Sequence, residues 1–177
     1  MGEMLVLLGV IAGATWLAYV TFAWNVGRRL KAADRSSRPV GNISGELTVL
    51  IPCRNEAEVL PHLLNDLQSQ SHPVRIVVIN DASTDGTHRA AEAAGVTCIP
   101  AEGSGKKSAL ATGFRYVKTP WMATVDADVR LGADWARSLL ATAVREDAAC
   151  VLGGVVISTE PSTAWHRFQR LEFAVMQ

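Results

Sequence analysis

Trp121-Met122-Ala123-Thr124-Val125-Asp126-Ala127-Asp128-Val129-Arg130 sets a short apolar run against two carboxylates at i and i+2. The run reads as a buried strand, and the chain turns just after it. On an extended strand, i and i+2 side chains share one face. Two acids so placed repel each other unless a positive charge sits between them. The simplest such charge is a divalent cation with hard oxygen ligands, completed by a phosphate group. Taken alone, the pair fits equally well two acids that solubilise a turn. The surrounding chain separates the two readings.

Upstream, Leu47-Thr48-Val49-Leu50-Ile51 reads as a continuously apolar strand ended by Pro52, and Val74–Ile79 and Val96–Ile99 read as two more strands, near-continuous apolar runs. Between them, Leu60, Leu63, Leu64 and Leu67 follow the i, i+3, i+4, i+7 spacing of one buried helix face. Pro61 is tolerable there because it lies near the helix start. Asn80–Thr87 is dense in turn and cap residues, and Ser83 and Asp85 read as caps of an alanine-rich helix that ends at Gly95. Gly103-Ser104-Gly105-Lys106-Lys107-Ser108 reads as a flexible basic loop before a helix through about Val117. Downstream, Trp135, Leu139, Leu140, Ala143 and Val144 predict an amphipathic helix. Cys150–Val156 reads as a fifth strand interrupted by Gly153-Gly154, and a last helix is expected from Glu160.

Near-continuous apolar strands alternating with helices predict an α/β fold, a mostly parallel sheet covered on both faces. Ligands bind such sheets outside the carboxyl ends of the strands. The loops after the four apolar runs hold Arg54 and Glu56, then Asp81, then Lys106, then Asp126 and Asp128, so all four polar clusters fall on one edge. Scattered surface charge has no reason to converge in this way.

The two ends of the chain read differently. Met4–Gly27 carries no charged side chain over 24 residues. As a helix it would reach about 36 Å, enough to cross a hydrocarbon core of about 30 Å. Trp16, Tyr19 and Trp24 are amphipathic rings of the kind found at membrane interfaces. Arg28, Arg29, Lys31, Arg35 and Arg38 follow against a single Asp34, which places the C-terminal side in the cytoplasm by the positive-inside rule. The expected organisation is a transmembrane helix over 1–27, a basic juxtamembrane linker over 28–45 and one domain over 46–177. A formal net charge of zero argues against a nucleic-acid partner. Cys53, Cys98 and Cys150 are odd in number and widely spaced, each in or beside an apolar run, as suits reduced thiols of a cytosolic domain. His62, His72, His88 and His166 share no metal-ligand spacing.

The residue types on the shared edge suit a phosphate-bearing ligand. Asp126 and Asp128 can hold Mg2+ or Mn2+, which would stabilise a diphosphate leaving group. Lys106 reads as a mobile charge for the same phosphates or as a solvated loop lysine. Asp81 reads as an acceptor for a base N–H or a ribose hydroxyl, or as a turn cap. Glu56 reads as a ribose or base contact or as a first-turn acid facing the helix dipole, and Arg54 is similarly open. A phosphohydrolase of the haloacid dehalogenase type also sets Asp-x-Asp after an apolar strand, but near the start of its domain; here three strands precede the pair.

Ile51-Pro52-Cys53-Arg54-Asn55-Glu56, Asn80-Asp81-Ala82-Ser83-Thr84-Asp85-Gly86-Thr87, Gly105-Lys106-Lys107-Ser108-Ala109-Leu110 and Asp126-Ala127-Asp128 resemble, in order and spacing, the motifs of the family 2 glycosyltransferases. The resemblance spans about Leu47 to Val156. It implies a GT-A fold (Rossmann-like), a nucleotide-sugar donor, most often UDP-linked, and a divalent metal. By position, Asp81 resembles the nucleoside-binding aspartate, and Pro52, Arg54 and Glu56 the wall of that pocket. Lys106 resembles the donor-loop lysine, and Asp126 and Asp128 the metal and diphosphate pair on which catalysis turns. The anchored layout resembles members that act on lipid or polysaccharide acceptors at the cytoplasmic face of a membrane. Such enzymes carry a further acidic motif for the acceptor-side base, which is not found before Gln177. The second expectation is accordingly a membrane-tethered nucleotide-sugar-binding module lacking its own base.

Overall fold

The computed structural model describes residues 9–22, 24–25, 45–155 and 163. Two compact units divide the chain: Val40–Val151, and Met1–Pro39 with Leu152–Gln177. In the second unit, residues 9–22 and 24–25 are helical and exposed. Among the described residues no helix is long and apolar enough to cross a membrane. The span expected over Met4–Gly27 therefore gains no support from them, and lies in part outside them.

The first unit is built on strands β1 (Leu47–Cys53), β2 (Val74–Asn80), β3 (Thr97–Pro100) and β4 (Trp121–Thr124). Helices α1 (Leu60–Gln68), α2 (Thr87–Ala93), α3 (Lys106–Phe114) and α4 (Trp135–Arg145) alternate with them. The sheet order is β3-β2-β1-β4, and every pairing is parallel. This is the expected fold class. Consecutive connections run outward from β1 to β2 and β3, and the chain then crosses back to add β4 on the other side of β1.

Both faces of the sheet are covered. Val49, Ile51 and Val78 pack with Leu60, Leu63, Leu64 and Leu67 of α1, Ala91 of α2 and Ala136 and Leu140 of α4. On the opposite face Leu50, Val77, Ile79 and Ile99 pack with Ala109 and Leu110 of α3. The leucine face of α1 is thus the predicted one. Helix α2 ends as its Gly95 suggests: Gly95 has φ +68°, and the N–H groups of Gly95 and Val96 donate to the carbonyls of Glu92 and Ala91. That is a Schellman closure, which satisfies carbonyls otherwise left open at a helix end.

Four expectations need correction. Strand β1 does not stop before Pro52 but runs to Cys53, with Pro52 opposite Ile79. Leu50 accepts from Val125 N–H and so faces β4, and Pro52, two residues on, faces the same way. The β1–β4 ladder has already ended at Leu50↔Thr124, so the missing N–H of proline breaks no bond. Second, β4 is half-exposed rather than buried, with Met122 and Thr124 on its open face. Third, α4 is rotated from its predicted face: Ala136, Leu140, Ala141 and Ala143 are buried, whereas Val144 is exposed. Fourth, 150–155 forms no strand. The helix expected from Glu160 lies outside the described residues.

Helix α3 presses closely on the sheet at Gly113. A Cβ built there would stand 2.8 Å from Ile79 Cδ1 and 2.9 Å from its Cγ1, in a fully buried side chain. Alanine in place of glycine would favour the helix by up to about 1 kcal/mol, but overpacking a core costs about 1–3 kcal/mol. Gly113→Ala is therefore expected to lower stability by about 1 kcal/mol in urea denaturation. A gain in stability would show that α3 can back away from the sheet.

Candidate functional site

A cleft of about 260 Å³ opens at the carboxyl ends of the strands, lined by Pro52, Cys53, Arg54, Glu56, Asp81, Lys106, Ala109, Asp126, Ala127 and Asp128. All seven site residues expected from sequence line it. Its position follows from the pairing. Strand β4 leaves the sheet opposite Leu50, whereas β1 stays paired with β2 as far as Cys53↔Asn80. The three extra residues of β1 leave one side uncovered, and the loop 126–128 rises beside it. Val125 and Ala127 turn inward and are buried, so Asp126 and Asp128 turn outward together.

The loops after β1 and β2 are tied to each other. Asn55 sits in the left-handed region at φ +57°, where asparagine is among the most tolerant non-glycine residues. Its N–H donates to Ser83 Oγ at 3.0 Å, and its Oδ1 accepts from Thr84 N–H at 2.8 Å. Glu56 N–H donates to Thr87 Oγ1 at 2.8 Å, and Ala57 N–H to Asp85 Oδ2 at 3.0 Å. Asp85 Oδ1 also accepts from the N–H and hydroxyl of Thr87. These bonds, the Thr87 hydroxyl foremost, hold the Asp85 carboxyl below the usual carboxylate range. Ser83 and Asp85, expected only as caps, fasten the two loops that shape one wall of the cleft. Asn55 had no expected role; its capacity for positive φ beside a strand end was the available signal.

Asp81 is 5% exposed. Its N–H donates to Cys53 O at 2.8 Å, and its Oδ2 accepts from Gly105 N–H at 2.8 Å, with Arg54 Nη1 at 3.9 Å. Gly105 has φ +90° and precedes the first residue of α3. Lys106 is therefore not on a free loop but opens a helix, and its Nζ donates to Asp126 Oδ1 at 2.5 Å. Both partners are more than half exposed, at 60% and 55%. None of the described histidines lines the cleft.

Four acids, Glu56, Asp81, Asp126 and Asp128, thus face two bases, Arg54 and Lys106, a surplus of two negative charges in the cleft. A diphosphate would be repelled there without a cation. Asp126 and Asp128 fit a hard divalent cation that takes its remaining ligands from phosphate oxygens and water. Among the described residues no group of three or more His, Cys, Asp or Glu side chains is disposed to hold a metal.

The sequence model described as glycosyl transferase family 2 matches residues 48–176. Among curated relatives, the 4,4'-diaponeurosporenoate glycosyltransferase of Staphylococcus aureus (strain bovine RF122 / ET3-1) is 42% identical over 89 residues, which cover 47% of this chain and 24% of the relative. The protein of the same name from strain USA300 is 40% identical over the same length. The match thus spans about a quarter of the length of these relatives. Among solved structures, the mannosyltransferase PcManGT from Pyrobaculum calidifontis, in complex with GDP-Man and Mn2+, superposes with a TM-score of 0.56 at 26% identity, covering 80% of this chain and 43% of that one. TarS 1-349 of S. aureus gives 0.54 at 21% identity over 58% of this chain and 33% of its own, a likeness of fold.

Cys53 forms part of the cleft floor and is 1% exposed. Burial, reinforced by the nearby Glu56 carboxylate, pushes its thiol up to about 12. It is protonated across the physiological range and is a packing residue, because only the thiolate is a nucleophile. Cys150 is exposed. Iodoacetamide at pH 8 is expected to modify Cys150 rapidly and Cys53 only on unfolding. Equal labelling of both in peptide mass spectra would refute the buried, protonated state.

Proposed function

The chain belongs to glycosyl transferase family 2, and from this we propose that its cleft binds a nucleotide-diphospho-sugar, UDP-linked in the first instance, for transfer to a lipid or polysaccharide acceptor. The observation that carries the proposal is the meeting of Arg54, Asp81, Lys106, Asp126 and Asp128 in one cleft at the carboxyl ends of a parallel sheet. Each has a role that its surroundings support. Asp81 is buried with one oxygen engaged by Gly105 N–H, and its other oxygen is the acceptor for a nucleoside N–H or hydroxyl. Pro52, Arg54 and Glu56 form the wall beside it. Lys106 stands at the start of α3, where the helix N-terminus also favours negative charge, and so suits the phosphates. Asp126 and Asp128 would hold Mg2+ or Mn2+, which supplies charge neutralisation of the diphosphate leaving group. The GDP-Man and Mn2+ of PcManGT support a nucleotide-sugar and a divalent cation.

The acceptor and the membrane belong to the same proposal. The described N-terminal helix exposes Val10, Ile11, Trp16, Leu17, Phe22 and Trp24. Three of its polar side chains are satisfied internally: the Thr15 and Thr21 hydroxyls donate to Ile11 O and Leu17 O, and Asn25 Nδ2 donates to Thr21 O at 2.8 Å. Such back-bonding removes the need for water around a helix in lipid. We therefore propose that this segment anchors the chain, with the basic residues 28–38 and the domain on the cytoplasmic face.

Two measurements test these readings. In calorimetry, UDP is expected to bind with Mn2+ and to lose most of its affinity in chelator. Asp128→Asn should weaken Mn2+-dependent binding by about 10- to 100-fold, and Asp81→Ala should weaken it through the nucleoside by about tenfold, as losses of hydrogen bonds to charged groups. Unchanged affinity in both variants would overturn the donor site. For the anchor, a cysteine at position 35 (Arg35→Cys) should resist membrane-impermeant thiol reagents in intact cells. Ready labelling would reverse the topology.

A further inference from the structure

The segment that follows Asp128 is seated on the far end of α1 by a set of polar bonds that the donor site does not use. Arg130 places Nε on Asp66 Oδ2 at 2.7 Å and Nη2 on Oδ1 at 2.9 Å, a bidentate pair. Leu131 N–H donates to the same Asp66 Oδ2 at 3.0 Å. Gln70 continues the seat: its Nε2 donates to Gly132 O at 2.8 Å, and its Oε1 accepts from Ala136 N–H at 3.0 Å. Ser71 N–H donates to Ala133 O at 2.8 Å.

We infer that Asp66 is a positioning residue for the metal-binding aspartates, acting through Arg130 on Asp128 two residues away; this rests on the donor-site reading above. Three observations carry it. The side chain of Asp66 is only 9% exposed, so its carboxylate is committed to these partners rather than to water. It lies in the last turn of α1, where the helix dipole disfavours an acid, so the helix itself gives no reason for it. And it grips both the guanidinium of Arg130 and the next backbone N–H, which fixes main chain as well as side chain. On the cleft side Asp126 is held only by the water-exposed Lys106 contact, and Asp128 is exposed. The far side of the loop is where their spacing can be set. Partners of this kind, one step removed from a metal, typically govern its affinity by about 10- to 100-fold.

The experiment uses the full chain in detergent, with UDP, uridine and Mn2+ as probes. Asp66→Asn keeps an acceptor for Leu131 N–H but loses the bidentate pair. It is expected to weaken Mn2+-dependent UDP binding by about tenfold and leave uridine binding within twofold, and amide exchange at 126–131 should quicken. Asp66→Glu should recover part of the loss. Parallel loss of uridine and UDP affinity together with the melting temperature would make Asp66 merely structural and overturn the inference. So would unchanged Mn2+-dependent binding with faster exchange, since the loop would then be loosened without consequence for the metal. Failure of the wild-type chain to bind UDP with Mn2+ would instead overturn the donor-site reading, and this inference with it.

Discussion

Strand β1 is hydrogen-bonded on both sides, and the unequal length of its two ladders is what makes the cleft. With β2 the pairing runs from Leu47↔Val74 to Cys53↔Asn80; with β4 it ends at Leu50↔Thr124. The chain has moved outward from β1 through β2 to β3 before returning to β4, so the order of strands reverses between β1 and β4. A crevice at such a reversal is the general ligand-binding place of open parallel sheets. Here it is widened by the last three residues of β1, which have no β4 partner. Pro52 fits this arrangement because its lacking N–H faces the open side.

The double pairing also depends on the core beneath it. The leucines of α1 seal one face of β1, and α3 seals the other through Ala109 and the close approach at Gly113. Helix α3 then delivers Lys106 to the cleft from its first turn, and Asp81 receives the backbone N–H of the residue before it. Packing on the sheet and placement of charge in the site are thus parts of one arrangement. A change in the depth at which α3 sits would be felt at both.

The parallel α/β architecture and the edge carrying the polar clusters were legible from alternation alone, because the strands of a covered parallel sheet read as near-continuous apolar runs and their loops follow in order. The seven cleft residues were legible for the same reason, with their motifs adding the rest. What escaped was set by partners distant in sequence. Apolar content made Trp121–Val125 look buried, but burial depends on what lies beside the strand, and Met122 and Thr124 face outward. Val144 fits the helical spacing as well as Ala141 does, and only the tilt of α4 on α1 and the sheet chooses between them. Asn55 and Asp85 looked like ordinary turn residues because each bonds to the other loop, about thirty positions away.

Of the charged residues that stand at helix ends where the dipole disfavours them, two are resolved in different ways. Lys106 opens α3 and Asp66 lies in the last turn of α1. Such breaches of local preference are commonly concentrated where function constrains the chain. The Lys106–Asp126 pair is open to water on both partners, and a pair of that kind contributes only about 0–1 kcal/mol. Arriving phosphate can therefore take Lys106, and a cation can take Asp126, against little resistance. Asp66 is enclosed, and separating it from Arg130 would also strand the Leu131 N–H. One pair is weak enough to be exchanged for ligand; in the other the carboxylate is enclosed and bonded to main chain as well as to the exposed Arg130, and so holds still the loop on which that exchange occurs.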